Sequence, residues 1–271
     1  MVDYSAVVQV GCSLLVIIAF GFIAFKFKFI PIPAIQPMNL FLYKVCYICL
    51  VSRNLGKRKF SELNFMPFVV GSLSTIATHI LFLFYFLIPF KDKFRNYLGV
   101  VLPCSFVNYL VIGIPIFNSI WGEEENVMIS MITLSNDLIT TPIYLILSNI
   151  YVESRKNDVD ENGNPVKKKT KLEICKAVII QIFMNPIIIG NILGFVWSAI
   201  GWTMPTFLVS LLQFLGDEVL GVCLVCVGGF IAQHSIIATN WIKFLMCILV
   251  KHVINPFFAL LFSMAFKLSN R

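Results

Sequence analysis

The residues in this chain that could do chemistry stand where water is scarce. Lys44, His79, Asp137, Asp217, Glu218, Lys251 and His252 all lie inside apolar runs, as does Asn108. An ionisable group in hydrocarbon is costly, so such groups face a cavity, a partner or the membrane interface. Asp217 and Lys251, with Lys44 and Asp137, therefore make a candidate charge network or a site for ion or proton coupling. A lysine near a helix end can equally snorkel to the interface, which is a structural role. Asn108 has the more specific setting. It opens Asn108-Tyr-Leu-Val-Ile-Gly113-Ile-Pro115-Ile-Phe117, in the middle of an apolar run over 97–121. Pro115 has no N–H and its ring collides with the carbonyl four residues back, so a helix is predicted to break at Gly113 to Pro115. In lipid, a break survives only where protein or a water-filled cavity satisfies the freed backbone groups. Broken helices at mid-membrane are how many secondary transporters build a substrate site. Asn108, Gly113 and Pro115 are thus the candidate substrate-binding residues. A proline kink in a purely structural helix is the plain alternative.

Other chemistries fit less well. Val45-Cys46-Tyr-Ile-Cys49 and Val222-Cys223-Leu-Val-Cys226 share a spacing, and four thiolates suit zinc. Cysteine is also an ordinary small buried residue, so no metal and no cofactor is expected. An intramembrane aspartyl protease would need two facing aspartates, but Gly216-Asp217 lacks the first glycine of the usual setting and Asp137 has no tyrosine before it. No enzyme is expected. A seven-helix receptor would carry tyrosine three residues after Pro256, where Ala259 stands. A channel differs from a carrier by conductance that does not saturate with substrate.

The elements that must hold these residues are membrane helices. The chain is 58% hydrophobic, with 26 Phe and 13% charged residues, and its mean hydropathy is +0.87. Soluble domains carry charges at about a quarter of positions, so the class is an all-α integral membrane protein. The net charge of +7 comes in short clusters between apolar spans, which signals topology rather than nucleic acid. Spans are expected near 6–25, 38–51, 65–90, 97–121, 127–152, 173–202, 206–232 and 241–267, about eight in all. The one long hydrophilic stretch, 153–171, reads as a flexible loop dividing the chain. Lys26, Lys28, the Lys91 to Arg95 cluster and the 153–171 loop fall on one side, with the Arg53 to Lys59 cluster and Lys267 on the other. The more basic side is taken as cytoplasmic, which puts the N-terminus outside, in a plasma membrane or endomembrane.

The Asn108 to Phe117 run resembles the broken fourth helix of the auxin efflux carrier family, which includes PIN-type and related organic-anion carriers. Three later stretches are similar to that family in the same order. They are Asn185-Pro186 through Gly194-Phe-Val-Trp-Ser198, Leu215-Gly-Asp-Glu-Val-Leu-Gly221 followed by Gly228-Gly-Phe-Ile-Ala232, and Lys251-His-Val-Ile-Asn255-Pro256. The resemblance implies an inverted-repeat transporter, an efflux carrier of a small organic anion such as an auxin-like or carboxylic acid. It makes residues 1–152 a first five-helix repeat, 153–171 a cytoplasmic hydrophilic loop, and 172–271 a partial second repeat of three helices. The family's last two helices have no counterpart, so the chain is expected to be either a truncated, non-transporting product or an eight-span member. The broken fourth helix would then lack its crossing partner, which favours instability or a homo-oligomer. Span two also lacks the proline common in that helix of the family.

Overall fold

The computed structural model describes residues 4–87, 89, 92–155, 170–234 and 241–266. Residues 156–169, most of the expected cytoplasmic loop, lie outside them, as do Lys91 and Lys267. The described chain is helical throughout, with α1 at Tyr4–Lys26, α2 at Ile32–Gly56, α3 at Met66–Leu83, α4 at Lys93–Ser105, α5 at Tyr109–Trp121 and α6 at Glu123–Arg155. Then come α7 at Lys171–Phe183, α8 at Pro186–Ile200, α9 at Thr206–Gln233 and α10, Trp241–Leu249 continuing to Asn255–Ala265. Among the described residues six helices are long and apolar enough to cross a membrane, or seven if α7 and α8 form one span. The fourth expected span falls short of that test because it is in two pieces, α4 and α5.

Two boundaries differ from expectation in a way that matters. The second span was expected at 38–51, with Arg53 in the loop beyond; α2 instead runs on to Gly56, so Arg53 is helical and buried. The fourth span was expected to break at Gly113 to Pro115, but the break lies at 106–108. Pro115 sits in the first turn of the α-helical segment Ile114–Trp121, directly after a wide π turn at Tyr109–Gly113. The helix therefore runs through Pro115: the wide turn ahead of it, closed by Ile114 N–H donating to the Tyr109 carbonyl, accommodates the missing N–H of the proline.

The chain divides into two compact units, each drawing segments from both sides of 156–169. One comprises Met1–Pro67, Asn108–Thr133 and Asn185–Asn240. Within it α1 packs along α9, and α2 packs along α8 and α9. Without a hydrophobic force between helices in lipid, close approach depends on small residues. A Cβ on Gly21 would collide with the Val225 backbone, and one on Gly228 with the Ile18 carbonyl. On the other pair, Gly190 lies against Ile48, Gly194 against Ser52 and Leu55, and Ser52 Oγ donates to the Gly190 carbonyl at 3.0 Å.

The second unit comprises Phe68–Val107, Leu134–Met184 and Trp241–Arg271. Its core gathers Phe82, Tyr97, Val100, Cys104 and Val250, with Leu147, Met246 and Ile254 against them. α7 begins with a capping box: Glu173 N–H donates to Thr170 Oγ1 at 3.3 Å, and Thr170 N–H donates to Glu173 Oε2 at 2.7 Å. Such reciprocal bonds satisfy two of the orphan donors at a helix start.

Candidate functional site

The break between α4 and α5 is built from amide side chains. Asn108 has non-helical dihedrals (φ −84°, ψ 76°) and caps α5, its Oδ1 accepting from Val111 N–H at 3.1 Å. The wide turn that follows is closed by Gly113 N–H donating to the Asn108 carbonyl at 3.2 Å. Asn108 is exposed, and its Nδ2 has no hydrogen-bond partner among the described residues. The N-terminus of α5 also presents backbone donors and the positive end of the helix dipole, which favours negative charge.

On the α4 side, two carbonyls that a continuous helix would have used are taken by distant side chains. Asn255 Nδ2 donates to the Cys104 carbonyl at 2.8 Å, and Asn136 Nδ2 donates to the Val107 carbonyl at 2.6 Å. Thr78 Oγ1 in turn donates to Asn255 Oδ1. Both upstream carbonyls of the break are therefore satisfied from within the chain. Asn136 stood in the sequence only as the neighbour of Asp137, and Asn255 only as part of an Asn-Pro motif. Their separations from the carbonyls they hold, 29 and 151 residues, leave no local signal to read.

Among the described residues four wide π turns interrupt the helices, at Leu42–Cys46, Tyr109–Gly113, Asn136–Thr140 and Val250–Ile254. Each holds at least one residue singled out from sequence: Lys44, Gly113, Asp137, and Lys251 with His252. A π turn inserts one extra residue into a helix and is frequent at functional sites. Lys44 is exposed and Lys251 half-buried. Asp137 is 4% exposed, and its Oδ2 has no partner among the described residues. The nitrogens of buried His79 likewise have none among them.

Asp217, which the sequence could pair with Lys251, takes Arg53 instead. Arg53 Nη1 donates to Asp217 Oδ1 at 3.0 Å, and Nη2 lies 3.9 Å from Glu123 Oε2. Close by, Arg58 bonds the Glu124 carbonyl at 3.2 Å and lies 3.7 Å from the Glu125 carboxylate. Among the described residues no group of three or more His, Cys, Asp or Glu is placed to hold a metal ion.

Comparison with known proteins agrees with this architecture. The family model described as "Membrane transport protein" matches residues 6–271. Auxin efflux carrier component 8 of Arabidopsis thaliana is 25% identical over 181 residues, which cover 55% of this chain and 49% of that protein. The chain thus spans about half the length of this relative. With helices apolar and long enough to cross a bilayer and a family match over nearly all its residues, this integral membrane protein belongs to the membrane transport protein family.

Proposed function

We propose that the chain is a secondary carrier that moves a small organic anion, an auxin-like or other carboxylic acid, out of the cytoplasm. The observation that carries this reading is the break at Asn108, where a spare amide Nδ2 and the positive end of α5 meet outside any continuous helix. Asn108 donates to the substrate carboxylate, and the first N–H groups of α5 add their polarity. Gly113 and Pro115 serve by shaping the wide turn and the segment after it. Lys44, Asp137 and Lys251, each on a π turn, supply charge for coupling or for the network around the site.

Two packing facts support an inverted repeat. α1 pairs with α9 and α2 with α8, which are the first span with the seventh and the second with the sixth. A pseudo-two-fold axis that equates spans one and six, and two and seven, exchanges these two pairs. Arg53 in a helix rather than a loop also lightens the basic charge of the outward side, which favours an outside N-terminus. In a single-cysteine background, a residue replaced near Glu124 is then labelled by an impermeant thiol reagent in sealed cells, and one near Gly163 is not.

Uptake of labelled organic acids into proteoliposomes, with and without a proton gradient, tests the function. Saturable uptake of at least one acid supports the carrier. Flux that rises linearly with substrate identifies a channel, and no flux of any acid removes the reading.

A further inference from the structure

A carrier of organic anions has to compensate a negative charge inside the protein, and a neutral amide with a helix end does so only in part. Arg53 is the one Lys or Arg that is buried among the described residues, at 4% exposure. It projects from the end of α2 into a cavity of about 160 Å³, lined also by Ile114, Asn118, Glu123, Asn126 and Asp217. This cavity is a different place from the Asn108 cap, although Ile114 belongs to the same helix, α5.

The cavity is not fully satisfied from within. Arg53 Nε has no hydrogen-bond partner among the described residues. Asn126, itself only 6% exposed, has an unpartnered Oδ1, as does Asn118. An uncompensated buried guanidinium is too costly to maintain, so its carboxylate partners are part of its stability. Those partners are unequal. Both carboxylates are largely exposed, Asp217 at 56% and Glu123 at 64%, but Asp217 is hydrogen-bonded at 3.0 Å, whereas Glu123 stands at 3.9 Å and follows the sharp turn at Gly122 (φ 83°). Asp217 orients the guanidinium, and Glu123 only neutralises it.

We infer that the Arg53 cavity is a second carboxylate site, in which Glu123 is a displaceable stand-in for the carboxylate of the transported anion. The inference rests on the carrier reading and adds a residue to it. An incoming carboxylate takes Arg53 Nη2 and Nε as a two-pronged partner, the geometry that suits arginine best. Glu123 swings to solvent, so the charge of the cluster is the same before and after. The amides of Asn118 and Asn126 are then left to fix the neighbouring atoms of the ligand. About five waters would fill the volume at roughly 30 Å³ each, which is room for a carboxylate and a short apolar stem.

The test measures binding of benzoate and of indole-3-acetate to the purified full chain in detergent, by thermal shift and by equilibrium dialysis. A self-ligand that occupies the site part of the time raises the apparent Kd by the inverse of the fraction of time the site is free. Glu123→Gln is therefore expected to tighten binding, by about fivefold if Glu123 occupies the guanidinium most of the time. Arg53→Gln is expected to weaken it by about tenfold or more, as loss of a charge-assisted bond requires, and Arg53→Lys to retain part of it. If the cluster is only a latch between α2, α9 and the start of α6, Glu123→Gln lowers the unfolding temperature and leaves affinity unchanged or weaker. That result overturns the inference even if Arg53→Gln does not fold. Wild-type protein that binds neither acid and transports none refutes the carrier reading itself. Binding that survives Arg53→Gln intact refutes only the second site.

Discussion

The chain breaks a helix twice in the same style and satisfies the two breaks differently. At α4/α5 and at α7/α8 an asparagine starts the second piece, its Oδ1 accepting from Val111 N–H at 3.1 Å in one and from Ile187 N–H at 2.9 Å in the other. Pro186 opens α8, whereas Pro115 comes only after the wide first turn of α5. At α7/α8 the backbone closes on its own neighbours: Met184 N–H donates to the Ile180 carbonyl at 2.9 Å and Ile189 N–H to that of Asn185 at 3.0 Å. At α4/α5 the upstream carbonyls depend on Asn136 and Asn255, from α6 and α10. A break that closes locally is a kink and needs nothing else. One held by side chains of other helices exists only while those helices stay in place, and any motion of them reaches its backbone.

The largest effect should come from removing the clamp that serves two partners. Asn255→Ala strands the Cys104 carbonyl and takes one of two acceptors from the Thr78 hydroxyl, which keeps the Ser74 carbonyl at 2.9 Å, and is expected to cost about 2–3 kcal/mol, since a buried group left unpaired costs on the order of 1–3. Asn136→Ala strands one carbonyl and should cost about 1–3 kcal/mol. Asn185→Ala loses a cap alone, about 1 kcal/mol. Denaturation of the detergent-solubilised variants ranks them, and equal losses at 255 and 185 would erase the distinction between the breaks.

A smaller effect separates the two roles of Asn108. Serine caps a helix nearly as well as asparagine but has no amide to offer a carboxylate. Asn108→Ser is therefore expected to hold stability within about 0.5 kcal/mol, while substrate binding weakens by about 1–3 kcal/mol. Asn108→Ala loses both. The smallest effect is expected from Asn185→Ser, with stability changed by a few tenths of a kcal/mol at most and substrate affinity unchanged.

The membrane class and most of the spans were legible because hydropathy is summed over many residues, and no single position decides it. The broken fourth span was legible from Gly113 and Pro115, yet its break was misplaced toward them. Proline disrupts a regular helix interior, but a wide π turn just ahead of it lets the helix run on, and sequence alone does not show that turn. The sequence places Arg53 in a loop because it leads into Lys57, Arg58 and Lys59 at the end of an apolar run. Its burial depends on Asp217, 164 residues away. Asn136 and Asn255 were invisible as clamps for the same reason. Their amides act on carbonyls, and a carbonyl leaves no mark in sequence because every residue has one.

The central claim is that the break at Asn108 binds substrate and the break at Asn185 does not. The direct measurement is the KM for saturable uptake of one transported acid into proteoliposomes, with wild type, Asn108→Ser and Asn185→Ser compared at equal amounts of folded protein. The account predicts a KM raised by about tenfold or more in Asn108→Ser, equivalent to some 1.4 kcal/mol, and a wild-type KM in Asn185→Ser. An unchanged KM in Asn108→Ser, or an equal rise in both variants, would contradict it.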